Sequence, residues 1–466
     1  MEKSKTPPVT AQLAHFAAGL RFEDLPAEVV ARARLLFMDL AGIIVRAQTL
    51  DSTLVLKETL RDLGQHCGQI RVLGSSESWT PQAAALLAGA AAHSLDFDDT
   101  HAQAQLHPGA AVVPAALAAA QMTGAGSREL LAAIVAGYEV MIRVAFGVNA
   151  LRHAERGYHP SATTGVFGAT AAAGNLFRLS AQQMEHAFGT ALSESAGTGQ
   201  FAVNGAWTKR FHVGNAAAGG VLAASLARRG YTGATQALEG GEGFFNAYSP
   251  DPKPEEALRG LGTVWEILQS GVKPYPCCRG IHAPLDAVMA LHARHHIDIA
   301  RIESVRVGMA RRSLHVVGEP QARRRNPSNV VDCQFSTHLC IAVALKHAHM
   351  GWDDYEPALA DQEIRALMQR IDVYEDARCE AAFPRAFSGV VEIRTKDGEQ
   401  WREFVEVPRG EPATMLTPRQ LREKFSLLVT GVIGPQNAGA LSETIGMMEC
   451  GIPLAELHRH AQPLQG

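Results

Sequence analysis

The sequence predicts a mainly α protein, in which a large all-helical domain is joined to a smaller α+β domain. Three observations predict it. The first half is rich in Ala and Gly at helical spacing, a proline-rich charged stretch at 250–256 marks a change of composition, and alternating strand patterns begin only beyond it. A chain of 466 residues with 47% hydrophobic content is also too long for one ordinary core.

Thr80 and Pro81 read as an N-cap and a first-turn proline, opening a helix over 83–92. Ser127 is expected to cap the run 130–144, with Glu129 suited to the positive end of the helix. Ser180 and Gln183 form a capping box for a helix running towards Ala191. Residues 216–227 are again small and apolar, so helices here can approach closely. The stretch 250–256 reads as a linker. Beyond it, Val305, Val307 and Met309 alternate with Arg306 and Gly308, and Val391, Ile393 and Thr395 with Glu392 and Arg394. Asp397-Gly398 offers a tight turn into a partner strand over 401–407. A helical stretch over 335–347 lies between the two strand regions. After a second linker at 408–414, Thr417, Pro418 and Gln420 start another helix. This tail is expected to pack back on the first domain. Residues 1–262 with 412–466 then make the helical domain, and 263–411 the α+β domain.

The net charge of −4, with both signs mixed, provides no basic face for nucleic acid. Arg323, Arg324 and Arg325 read as a solvated loop. The opening MEKSKTPPVT has no apolar run behind a basic start, so no secretory leader is expected. No window suggests the roughly 18–20 apolar residues of a membrane span. Seven scattered cysteines without a CxxC pair suit reduced thiols in the cytoplasm and offer no structural zinc site.

Four stretches carry candidate chemistry. They are Asp96-Phe97-Asp98-Asp99-Thr100-His101 with His107, then Tyr158-His159-Pro160, then Trp207-Thr208-Lys209-Arg210-Phe211-His212, and Lys273-Pro274-Tyr275-Pro276-Cys277-Cys278-Arg279-Gly280-Ile281-His282. Each has a plainer alternative. The acids can end a helix, a His before Pro can be a loop residue, Lys209-Arg210 can be a solvated helix face, and Tyr275-Pro276 a turn or a cis peptide. Cys277 and Cys278 read as buried thiols rather than a reactive pair. Asp96, Asp98, Asp99, His101 and His107 could also hold magnesium for a diphosphate. Such enzymes need a large aromatic cavity, and this chain is only 6% aromatic with no second magnesium motif. The expectation is therefore no metal.

The strings HSLDFDDTHAQAQLHPGAAVVPAALA, GYHPSATTGVFGATAAAGNLF, GAWTKRFHVGNAAAGGVLAASLARRGYTG, LEGGEGFF and VKPYPCCRGIHAPLDAV occur in that order. Together they resemble the MmgE/PrpD family, over about residues 10–450. The resemblance implies a helical domain with a smaller α+β lid, a homodimer, and a site between the domains. It also implies cofactor-independent chemistry on a small polycarboxylate: dehydration of the 2-methylcitrate type, decarboxylation of the cis-aconitate type, or epimerisation of a dicarboxylate such as iminodisuccinate. By the same resemblance His107, His159, Lys209 and His282 are the catalytic candidates, and Asp96, Thr100, Lys273 and Tyr275 line the substrate.

These residue types fit the task. A carbon acid beside a carboxylate gains negative charge as it loses its proton, so cations must stand where that charge develops. A histidine near its ordinary pKa of about 6.5 both takes and gives protons near neutrality. Lys209 can hold a carboxylate, and Asp96 can orient an imidazole. Two features depart from the family pattern: Leu339 stands where a Tyr is frequent, and the spacing from Thr100 to His107 is one residue longer than in the decarboxylases. A non-catalytic helical scaffold is the remaining alternative, and the retained His and Lys set argues against it.

Overall fold

The computed structural model describes residues 8–464. The stretch 1–7, which carries most of the argument against a leader, lies outside them. The protein is mainly α, with small sheets confined to a few places.

Two buried apolar clusters organise the chain. The larger draws on residues 9–272 and again on 416–461; the smaller draws on 275–393. The chain thus leaves the helical body once and returns to it. The returning helix Pro418–Ile433 packs on Ala27–Ala47. Its start has the Thr417–Gln420 capping box read from the sequence. Within the body, Pro81–Ala92 and Thr208–Arg228 cross at backbone contact. A Cβ on Gly214 would lie 2.4 Å from the Leu86 carbonyl oxygen, and one on Gly89 2.7 Å from Gly214 Cα. Small residues are therefore a steric requirement of this crossing.

Several local expectations need correction. Ser127 is the first helical residue rather than the cap of Ser127–Gly147. Gly126 holds the cap position, its N–H donating to Glu129 at 3.1 Å, while Ser127 Oγ donates to the Met448 carbonyl at 2.5 Å. Thr80 precedes Pro81–Ala92 as expected, but its hydroxyl bonds Gln65 Oε1 (2.5 Å) rather than the helix N-terminus. The helix Ser127–Gly147 is, against expectation, long and apolar enough to cross a membrane. In the protein 94% of its apolar window is buried, and Glu139 and Arg143 pair within it, so it serves as a core helix. The stretch 250–256 does not hang free between domains: Lys253 N donates to the Gly147 carbonyl (2.7 Å), and Ala257 is fully buried in the helical core.

In the smaller unit, Ile302–Met309 is a central strand. It pairs antiparallel with Gly389–Thr395, which pairs with Gln400–Val405. On its other side lies Ile371–Glu375, a parallel strand that the sequence reading missed. The helices His282–Arg294 and Thr337–His347 cover one face of the sheet. Leu339 sits in the first turn of the second of these, buried in this core. The three arginines 323–325 are not a solvated loop. Arg323 pairs with Asp332, buried Arg324 donates to the carbonyls of Val316 and Glu319, and Arg325 donates to that of Ile371.

The two units meet along the chain crossings. Thr100–His101 pairs with Ser270–Gly271, and Val272 N donates to the Gly410 carbonyl at 2.8 Å. A Cβ on Gly410 would lie 1.9 Å from Val272 O, so glycine is required there.

Candidate active site

The acidic string follows the end of Pro81–Ala92 and divides its carboxylates among three surroundings. Asp96 adopts a left-handed backbone (φ 49°), which Asp tolerates better than most residues. Its carboxylate ion-pairs with Lys209 from the start of Thr208–Arg228. It also pairs with Lys273 (3.1 Å), whose Nζ donates to the Asp96 carbonyl as well (2.8 Å). Asp98 turns the other way, to two imidazoles: His93 Nδ1 lies 2.7 Å from its Oδ2, and His107 Nδ1 lies 3.2 Å from the same oxygen, off the line of a good hydrogen bond. Asp99 is a structural group. It accepts from Tyr138 Oη (3.0 Å) and from Gly109 N (3.2 Å).

The imidazoles form a cluster. The His93 ring lies 4.7 Å from that of His107 and 5.9 Å from that of His159, centre to centre. His159 Nδ1 is 3.3 Å from His212 Nδ1, so one of these nitrogens donates and the other accepts. His212 stands one helical turn after Lys209. A Lys209–Phe335 cation–π contact (5.2 Å) brings the lid over this face.

Burial dominates the electrostatics. It pushes the His93 imidazole down to about 3 and His107 below its ordinary value, with Asp98 opposing both. His159 is driven well down by burial and by His93, Lys209 and His212. These rings are neutral at pH 7. For Asp98, burial works upwards but is outweighed by His93 and His107, leaving the carboxyl well below its usual range. Asp96 follows the same logic: burial is overcome by Lys209 and Lys273, and the carboxyl stays ionised. Lys273 is lowered by burial yet ends above its ordinary value, because Asp96 and Asp98 stabilise its charge. Asp99 is pushed well up by burial and by Asp98, against the hydrogen bonds from Tyr138 and Gly109.

The remaining candidates stand on the lid side or at its edge. Thr100 is buried, with Oγ1 unpartnered. Fully buried His282 donates Nε2–H to the Cys277 carbonyl (3.1 Å), leaving Nδ1 without a partner. Tyr275 packs edge-on to His282, centres 5.5 Å apart, but its hydroxyl is committed to the lid: it donates to Asp286 (2.7 Å) and accepts from Arg409 (2.5 Å). Cys277 N donates to the Tyr275 carbonyl in a tight turn (2.9 Å). Burial pushes both the Cys277 and the Cys278 thiol up, so neither is a ready nucleophile. Beneath the site, Lys424 donates to the carbonyls of Phe97 (2.9 Å) and Lys273 (3.0 Å) and pairs with Asp39 (2.6 Å).

A cavity of about 150 Å³ opens where body and lid meet, lined by Thr100, His107, Cys278, Arg279, Arg312 and Ser313 among others. Of the candidates, Thr100 and His107 line it. Asp96, Lys209, Lys273 and His159 form the charged and aromatic network beside it, and Tyr275 and His282 stand behind Cys277. Sequence reasoning did not select His93, His212, Arg279 or Phe335. His93 stands in the quoted acidic string, five residues before Asp98, and was the most readable of them.

One set of side chains has the spacing of a metal site. The ligand atoms of His93, Asp98 and His107 lie within 4.8 Å of one another. Two ligands at about 2.0–2.1 Å from a tetrahedral ion stand roughly 3.3 Å apart. The 2.7 Å between His93 and Asp98 is instead a charge-assisted hydrogen bond. Asp96, Asp99 and His101, weighed as ligands from the sequence, do not join this set. Asp96 serves the lysines, Asp99 serves Tyr138, and His101 faces Glu266 at 3.6 Å.

The MmgE/PrpD N-terminal domain model matches residues 11–257, and the MmgE/PrpD C-terminal domain model matches 275–448. The chain belongs to the MmgE/PrpD family. Its relatives include a cis-aconitate decarboxylase-like protein, oryM, of Aspergillus oryzae, 28% identical with 96% of each chain covered. The cis-aconitate decarboxylase of Aspergillus terreus is 29% identical over 90% of this chain and 89% of its own, and the human one 26% identical over 90% and 87%. These relatives support a lyase of the MmgE/PrpD family. The C-terminal model runs to 448, yet the helix Pro418–Ile433 within it packs into the core of the N-terminal body.

Proposed function

We propose that this chain is a cofactor-independent lyase that moves a proton at a carbon next to a carboxylate of a small polycarboxylate, as a decarboxylase or dehydratase. The observation that carries it is His107. Its imidazole is neutral by burial, rests against the ionised Asp98, and lines a cavity where body and lid meet. A neutral imidazole can take a proton, and Asp98 stabilises the imidazolium that forms, which can then return it. In a decarboxylation the carbon–carbon bond breaks, carbon dioxide leaves, and the electron pair left on carbon collects that proton. In a dehydration the base removes the proton and hydroxide departs with one. Lys209 and Lys273 supply positive charge nearby, and His159 supports the His93–His107 cluster. His282, held by the Cys277 carbonyl, orients the lid wall.

The test is solvent-deuterium exchange on a panel of di- and tricarboxylates, followed by NMR. The proposal expects incorporation of deuterium together with release of carbon dioxide or water. Exchange with inversion and no loss of atoms would instead make the chain an epimerase, and no exchange on any acid would overturn the assignment. The same reading places a homodimer in the cytoplasm, to be checked by sedimentation and fractionation. It also expects turnover to survive EDTA; loss of turnover restored by magnesium or zinc would make His93, Asp98 and His107 a metal site.

A further inference from the structure

The two lysines beside the site are already committed. Asp96 alone pairs with both, so the three groups together carry one net positive charge, and Asp98 faces the imidazoles. Two further cations line the cavity, on the lid. Arg312 is half-buried and has no ion pair or side-chain hydrogen bond among the described residues. Arg279 is 7% exposed, with its Nε and Nη2 edge facing Glu411 and its Nη1 buried without a hydrogen-bond partner. Thr100 Oγ1, from the body, is likewise buried and unpartnered. Among the described residues no carboxylate lines the cavity, and Glu411 pairs with Arg279 along its Nε and Nη2 edge.

Buried donors without acceptors cost free energy, by about 1–3 kcal/mol for an ordinary group and more for a charged one. A site that keeps two such groups, with the half-buried Arg312 guanidinium beside them, around one small space is built for an anion. A guanidinium held by a carboxylate along one edge keeps its other donors fixed in direction, which suits a planar carboxylate. At about 150 Å³ the cavity is well below the roughly 300–1,000 Å³ of a drug-sized site, so its occupant is small.

We infer that Arg279 and Arg312, with Thr100, form a binding site for a remote carboxylate of the substrate, set on the lid and distinct from the carboxylate next to the reacting carbon. The substrate class narrows accordingly, to acids with at least two carboxylates separated widely enough to reach both the lid arginines and the His107–lysine side. The inference rests on the polycarboxylate reading of this same site. It adds that the remote carboxylate, bound between lid arginines and body Thr100, selects the substrate and ties the two units together.

The test uses the full chain and two unreactive acids, tricarballylate and glutarate, which lacks the central carboxylate, by calorimetric titration. Wild type should bind tricarballylate, with affinity falling as salt rises. Arg312→Gln and Arg279→Gln should each weaken it at least 10-fold, and Arg279→Lys by less than Arg279→Gln. Glutarate keeps both terminal carboxylates, so its binding should weaken in both Gln variants as well. Arg312 has no partner to lose, so Arg312→Gln decides the matter should Arg279→Gln fail to fold. Wild-type binding with unchanged affinity in the Arg312→Gln and Arg279→Lys variants overturns the arginine site and leaves the polycarboxylate reading standing. No binding of either acid by wild type overturns both.

Discussion

Asp96 pairs with two ammonium groups, buried Lys273 and half-buried Lys209, and its backbone sits in the left-handed region to reach them. Removing one partner of a buried charge set costs far more than the set contributes, because the remaining charge stays desolvated. Asp96→Asn should therefore lower stability by about 3–5 kcal/mol, read from urea melts; an unchanged midpoint would show that Lys209 and Lys273 find other partners. His107→Asn should spare the melt but lower turnover by about 10²–10⁴-fold. Because Asp98 raises the His107 pKa against burial, Asp98→Asn should move the acidic limb of the pH–rate profile to lower pH, and a limb moving up would contradict the pairing. The residue types of this site were legible in the sequence, and their partners were not. Tyr275 reads like a pocket phenol, yet Asp286 and Arg409 claim its hydroxyl from 11 and 134 residues away. Arg279 was inside a quoted string and passed over, because an arginine's free edge is visible only once its partner, Glu411, is known.

Helices were legible where the signal is local. The Ser180–Gln183 and Thr417–Gln420 boxes form as written, since a hydroxyl and an amide three residues apart need only one turn of helix. Ser127 looked equivalent but lies one residue inside its helix, where a tertiary partner, the Met448 carbonyl, takes its hydroxyl. Ile371–Glu375 went unread because a short parallel strand depends on a neighbour far away in sequence. At this scale the crossing of Pro81–Ala92 with Thr208–Arg228 is the most demanding contact. Gly214→Ala would press a methyl against the Leu86 carbonyl at 2.4 Å. Overpacking of this kind typically costs about 1–3 kcal/mol. Lys209 rides on the same helix, so the variant should lose stability and raise KM together. Loss of stability with unchanged kinetics would mean that the helix shifts only beyond His212.

Across the whole molecule, buried histidines set the response to acid. His93, His107, His153, His159, His212, His282, His338 and His458 all have their pKa lowered, first of all by burial. Each stays neutral in the fold while the unfolded chain takes up a proton below about 6.5, so stability falls with pH from there. Three carboxyls oppose this, since burial raises Asp39 to about 6, Glu139 to about 7 and Asp99 well up, and they take protons in the fold first. Asp96 and Asp98, held low, keep their contribution until pH falls below the ordinary carboxylate value of 3.8. Eight groups against three predicts a thermal midpoint that drops between pH 6.5 and 4; a flat or rising midpoint there would show that water or rearrangement relieves the histidines.

Lys424, which ties the Phe97 and Lys273 carbonyls beneath the site, also gives the molecule a birth order. It follows Phe97 by 327 residues and Lys273 by 151. At about 5–20 residues per second, the ribosome leaves the Phe97 wall waiting roughly 16 to 65 s and the Lys273 wall roughly 8 to 30 s for the cation that joins them. Throughout that interval the face of Ala27–Ala47 that Pro418–Ile433 will cover is open to solvent, and Asp39 lacks the Lys424 counter-ion. The nascent chain is thus an exposed intermediate for most of its synthesis, and a stop codon anywhere before the final helices would release a client for chaperones instead of an enzyme lacking only its tail.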